Sequence, residues 1–249
     1  MTESLLHLKV HSVESFGTHD GPGIRLVVFL QGCNLKCRYC QNADTIKNEG
    51  GQLVTLDEIV RRAVNMKTYF GKKGGVTISG GEPLLQSKNL IALFKRLKAE
   101  GIHTNIDTNA TIATGYSQEL IRELADLVMF DIKHTTAEGF EQLTGRNGLQ
   151  TAIDLINLRE KSRKPYWLRY VLIPGYTAKQ EYLEWLIRQF SGMQYLERVE
   201  ILPYHQLGQY KWEALGEKYP LEDARENTAE EVEQARQLLE PHFKEVISK

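Results

Sequence analysis

Gly23-Ile24-Arg25-Leu26-Val27-Val28-Phe29-Leu30-Gln31-Gly32-Cys33-Asn34-Leu35-Lys36-Cys37-Arg38-Tyr39-Cys40 joins an apolar, β-branched run to three cysteines that fall within eight positions. Residues 23–30 read as a buried strand. A thiol-bearing loop directly after a strand sits where parallel α/β folds place their chemistry, at the carboxyl ends of the strands.

Outward from this stretch the pattern repeats. Apolar runs over 76–79, 103–107, 127–133, 167–173 and 199–202 predict further strands, giving about six in all. Helical segments separate them. Thr55 with Glu58 three residues on predicts a capping box that opens a helix through about Tyr69. Leu90, Leu93, Phe94 and Leu97 share one face over 90–99. Further helices are expected over 117–124, 149–159 and 179–190, and a charged, solvated closing helix over 228–246. Strict β/α alternation implies a parallel sheet with right-handed crossovers, either doubly wound or a barrel. A chain of 249 residues with 41% apolar and 25% charged residues can bury a substantial core. The expectation is a single α/β domain over 1–249, with an N-terminal extension over about 1–15.

A formal net charge of −1 offers nucleic acid or anionic lipid no sustained attraction. No apolar run reaches membrane-spanning length. Met1 to Val10 mixes Glu3, His7 and Lys9 among its leucines, unlike a secretion signal. The expectation is a cytoplasmic protein with neither a nucleic-acid nor a membrane partner.

The cysteines are spaced C-x3-C-x2-C. An odd number argues against a disulfide framework, and soft thiolates suit an iron–sulfur centre or zinc. A four-iron cubane wants four ligands, and the sequence contains no fourth cysteine. One iron would therefore meet something other than a thiolate. The competing reading is a structural Cys3His zinc site completed by His19 or another histidine.

The spacing, with an aromatic residue before the last cysteine, resembles the radical S-adenosylmethionine superfamily. Thr18-His19-Asp20-Gly21-Pro22-Gly23-Ile24-Arg25 resembles the opening motif of its glycyl-radical-enzyme activases, and the resemblance runs nearly end to end. It implies a partial (β/α)6 TIM-like barrel and a [4Fe-4S] cluster held by Cys33, Cys37 and Cys40. S-adenosyl-L-methionine would chelate the open iron. Ser79-Gly80-Gly81-Glu82-Pro83, by itself an ordinary turn, resembles the segment that receives the cofactor's amino group, with Gly81 carrying that role and Glu82 supporting it.

Tyr39, Cys40 and Gln41 are implied cofactor contacts, as are Asp131, Ile132, Lys133 and, near the adenine, His205. A plain ion pair is the alternative for Asp131 and Lys133, and a core-facing one for Arg169. Asp107-Thr108-Asn109, with Met129 and Asp131, resembles a monovalent-cation site. The chain departs from the pattern where Gln41 replaces a common histidine and Ala110 a common glycine.

The activity implied is reductive cleavage of S-adenosylmethionine to methionine and a 5′-deoxyadenosyl radical, which removes hydrogen from a glycine of a partner enzyme. Residues 42–74 carry no inserted cysteines, which favours pyruvate formate-lyase as that partner, with flavodoxin or ferredoxin as electron donor. The alternatives are an activase of another glycyl-radical enzyme or a different enzyme of the superfamily.

Overall fold

The computed structural model describes residues 6–248. Among them the strands are β1 (His7–Gly17), β2 (Arg25–Leu30), β3 (Gln52–Thr55), β4 (Gly75–Gly80), β5 (His103–Thr108), β6 (Leu127–Asp131), β7 (Tyr166–Leu172), β8 (Leu196–Pro203) and β9 (Val246–Ser248). The helices are α1 (Leu56–Asn65), α2 (Lys67–Phe70), α3 (Ser87–Ala99), α4 (Gly115–Glu119), α5 (Ala137–Thr144), α6 (Leu149–Lys161), α7 (Gln180–Phe190), α8 (Gln209–Ala214) and α9 (Ala229–Leu239). Two compact units are formed. The first comprises the described residues up to Asn34, then Thr45–Thr108 and Ile112–Met129; the second comprises Leu35–Asp44, Asn109–Thr111 and the described residues from Phe130 onward.

In the first unit the apolar run becomes β2, where Leu26, Val27, Val28 and Leu30 are all buried. That burial follows from its neighbours: β2 pairs in parallel with β4, and β4 with β5. The strand order here is β3-β1-β2-β4-β5-β6, with β1 antiparallel to both β2 and β3. Thr55 caps α1 by accepting the Glu58 N–H at 3.1 Å. Glu58 itself turns to Arg62, so only half of the expected box forms. The helix stops at Asn65 and resumes as α2, short of the single helix expected through Tyr69. The helical face predicted for α3 is buried, with Leu90, Leu93, Phe94 and Leu97 each 0% exposed. The helix expected over 117–124 begins as α4 and continues as a π-helical turn over Leu120–Leu124.

The second unit takes in the last residues of β6 and carries β7, β8 and β9. β7 pairs in parallel with β8, and β8 with β9. The Ile132 N–H continues the β6 edge by donating to the Arg169 carbonyl at 3.0 Å. Phe130, Ile156, Tyr166, Phe190 and Ile201 form its buried centre. The closing helix expected through residue 246 ends instead at Leu239, and Glu240–His242 form a 3-10 turn containing Pro241. Proline lacks the N–H that another α-turn would need, so the chain leaves the helix and adds β9.

The six strands foreseen are β2, β4, β5, β6, β7 and β8, while β1, β3 and β9 are additional. Residues 1–5 of the expected N-terminal extension lie outside the described residues, and the next part forms β1. No helix among the described residues is long and apolar enough to cross a membrane.

Candidate functional site

Cys33 belongs to the first unit, Cys37 and Cys40 to the second. In the first unit the backbone fixes the start of the cysteine loop. Gly32 N–H donates to the Thr45 carbonyl at 2.8 Å and Cys33 N–H to the Ile46 carbonyl at 2.9 Å. The turn after β4 packs against the same segment, with Gly81 N–H on the Leu30 carbonyl at 2.9 Å and Glu82 N–H on the Gly32 carbonyl at 2.8 Å. A Cβ added at Gly81 would stand 2.0 Å from the Gly32 carbonyl oxygen, so only glycine fits this approach. Glu82 is buried, and its Oε1 accepts from Leu84 N–H at 2.9 Å and Thr108 Oγ1 at 2.6 Å. Its carboxylate thereby ties the ends of β4 and β5 together. Ser79 Oγ donates to Asp107 Oδ2 at 2.9 Å on the same pair of strands.

The glycine-rich motif before β2 is organised by Arg25. Its fully buried guanidinium donates to Thr77 Oγ1 at 2.6 Å, the Val76 carbonyl at 2.6 Å and the Pro22 carbonyl at 3.1 Å. Burial pulls its pKa down to about 9, with Asp20 opposing the shift. Thr77 Oγ1 and the Asn105 amide hold the Asp20 carbonyl at 2.6 and 3.1 Å. The motif is thus a loop clamped onto β4 and β5 by a buried cation.

In the second unit the rest of the cysteine loop lies on the end of α5. Lys36 N–H donates to the Thr144 carbonyl at 2.9 Å and Arg38 N–H to the Leu143 carbonyl at 2.8 Å, using acceptors that a helix end leaves open. Gly145, at φ +81°, turns the chain out of α5. Cys40 N–H closes a tight turn onto the Cys37 carbonyl at 3.0 Å. Burial pushes the Cys37 thiol up to about 12, against the pull of Lys133. A thiol so placed ionises when a metal takes the proton's position. Thr, Tyr and Lys side chains cannot substitute for such soft ligands.

Lys133 and Asp131 form the ion pair left open by the sequence, at 2.7 Å, with side chains 12% and 20% exposed. Burial opposes the Lys133 charge, yet Asp131 above all carries its pKa well above the ordinary amine value. The Lys133 Nζ also lies 5.8 Å from the centre of the buried Tyr39 ring. Ile132 is buried beside them. Arg169, too, is in a core-facing ion pair, with Glu200 at 2.8 Å.

Sequence reasoning missed the clasp formed by the segment after β8. Trp212 of α8, almost fully buried, donates its indole N–H to the Cys40 carbonyl at 2.9 Å. A Cβ on Gly208 would stand 2.6 Å from Gln41 Cα, so this glycine lets the two backbones touch. His205 meets the Gln41 side-chain amide, and Lys36 pairs with Glu217 at 2.6 Å. Gly208 closes the motif that carries His205, but nothing in the sequence links Trp212 to a cysteine far upstream.

Three cysteines with no fourth in the sequence suit an iron–sulfur cubane that leaves one iron to a non-protein ligand. The donor set, three thiols with one deeply buried beside a lysine, fits an iron–sulfur cluster.

Residues 27–186 match the model of the radical SAM superfamily. Pyruvate formate-lyase-activating enzyme of Staphylococcus epidermidis is 44% identical over 91% of this chain and 92% of its own length. The enzyme of the same name from Clostridium pasteurianum is 40% identical over 96% of this chain and 98% of its own. A solved domain of pyruvate-formate lyase-activating enzyme from Bacteroides vulgatus superposes with a TM-score of 0.59 at 22% identity, covering 71% of this chain and 99% of that one. This likeness shows the fold, of the expected α/β class.

Proposed function

The chain belongs to the radical SAM superfamily, beside the pyruvate formate-lyase-activating enzymes, and from that premise we propose that it installs the glycyl radical of pyruvate formate-lyase. The observation that carries this reading is sequence identity of 40–44% along nearly the whole of both chains, with the cysteine triplet inside the matched region.

The family's cofactors are a [4Fe-4S] cluster and S-adenosylmethionine, which together supply one-electron cleavage chemistry that no side chain offers. Cys33, Cys37 and Cys40 hold the cluster. The Cys40 carbonyl, fixed by Trp212, and the Cys37 backbone, fixed by the turn between them, keep two of the thiolates in place. Lys133, held charged by Asp131 next to Tyr39, receives an anionic or hydroxyl-bearing part of the cofactor. Gly81 contributes backbone, Ile132 apolar contact and His205 a contact near the adenine. The Asp107-Thr108-Asn109 run, with Met129 and Asp131, takes a monovalent cation. Residues 1–249 act as one domain, a cytoplasmic protein that takes its electron from flavodoxin or ferredoxin.

The test is anaerobic. The reconstituted protein is mixed with pyruvate formate-lyase, S-adenosylmethionine and reductant, and electron paramagnetic resonance is recorded. A stable organic radical on the partner is expected. No radical there, but one on a different glycyl-radical enzyme, would reassign the partner.

A further inference from the structure

Phe16 stands in an unfavourable backbone state. Its φ is +66°, a region in which a bulky side chain is an outlier, and its ring is half exposed. The cause is local. Between Glu14, opposite Val27, and Gly17, opposite Arg25, β1 carries one residue more than β2, a bulge of the kind that re-aims a side chain. The ring packs edge-on against Tyr69 of α2, 5.0 Å between centroids, and the Tyr69 ring is half exposed as well. Neither the strained backbone nor the two exposed rings help the chain to fold, and such costs collect where a surface is used.

The loop after α2 belongs to the same surface. A Cβ on Gly23 would stand 2.6 Å from the Gly74 nitrogen, so the loop before β2 lies directly on it, and Arg25 Nη1 donates to the Lys73 carbonyl at 3.4 Å. Lys72 and Lys73 are exposed there, and neither is in an ion pair with the described residues. Two aromatic rings beside two uncompensated lysines suit a protein face that offers apolar contact framed by carboxylates.

Position narrows the partner. Gly17 pairs with the first residue of β2, whereas Cys33 lies beyond its last, and a strand of six residues at ~3.3 Å each sets the patch about 20 Å from the cysteine loop. No hydrogen is abstracted across that distance, and an electron donor would dock nearest to the cysteines. A folded protein substrate covers both places at once.

We propose that Phe16, Tyr69, Lys72 and Lys73 form a docking face for an acidic surface of the protein substrate, outside the segment that reacts. The inference rests on the activase reading above.

The experiment compares two substrates of the reconstituted, reduced holoprotein: folded pyruvate formate-lyase and a short synthetic peptide carrying its reactive glycine. Radical formation on the first and 5′-deoxyadenosine release with the second give KM and kcat, and thermal midpoints are recorded alongside. Phe16→Gly and the charge reversal Lys72→Glu with Lys73→Glu are each expected to raise KM for the folded enzyme about tenfold, the loss of one interface anchor, at unchanged kcat. The peptide reaction should not change. Added salt should raise the KM of the starting protein more than that of the charge-reversed one. Phe16→Gly should leave the thermal midpoint no lower, because the relieved backbone offsets the lost ring contact.

Unchanged KM for the folded enzyme in either variant, equal losses with the peptide, or a lower midpoint in Phe16→Gly would overturn the inference and leave the activase reading standing. A starting protein that forms no radical on pyruvate formate-lyase would overturn both.

Discussion

Ala110 is a buried alanine with φ +56°, in the left-handed region that a Cβ disfavours. It follows Asn109, whose Oδ1 accepts from both the N–H and the hydroxyl of Thr111, at 3.0 and 2.6 Å, so local hydrogen bonds fix the turn that strains it. Ala110→Gly should raise unfolding free energy by about 1 kcal/mol, relief of the left-handed penalty outweighing the added freedom of the unfolded chain. Denaturant titration checks it, and a lower midpoint would show that the Cβ packs too well to lose. The departure at Ala110 was visible in the sequence, but its strain was not, because a backbone angle is set by what the neighbouring residues bond to. Gln41 is a similar case. Its contact with His205 joins residues 164 positions apart, and no local pattern predicts it.

Among the elements, β7 and β8 meet through a buried pair. Arg169 Nε donates to Glu200 Oε2 at 2.8 Å with side chains 9% and 0% exposed, and Arg198 approaches the same carboxylate at 3.6 Å. Glu200→Gln would leave Arg169 buried without its counter-charge. The expected cost is about 3–5 kcal/mol in urea unfolding. A loss below about 1 kcal/mol, the worth of a solvent-exposed pair, would place the pair effectively in water.

The six foreseen strands were legible because burial on both faces makes such strands near-continuous apolar runs, as at Val76-Thr77-Ile78 and Trp167-Leu168-Arg169-Tyr170-Val171. β1 was not, since His7, Lys9, His11 and Glu14 interrupt it and its antiparallel pairing asks for less burial. β3 and β9 have four and three residues, too few for a period to register. Pro241 was the overlooked stop signal for α9.

For the whole molecule, the cysteine loop was legible because its chemistry is written in contiguous spacing, whereas the groups that hold it come from distant positions. The Leu143 and Thr144 carbonyls bond its backbone, and Trp212 bonds the Cys40 carbonyl. The deeply buried Cys37 thiol, pushed up to about 12, is poorly suited to act as a free nucleophile near neutral pH and well suited to a metal that deprotonates it. The proposed chemistry therefore requires a cluster with one iron open to a small chelating ligand. The most direct measurement is the electron paramagnetic resonance spectrum of the anaerobically reconstituted, reduced protein, with and without S-adenosylmethionine. The account predicts a one-electron cluster signal whose shape changes when that molecule is added. Identical spectra, or iron-free protein that retains zinc, would contradict it.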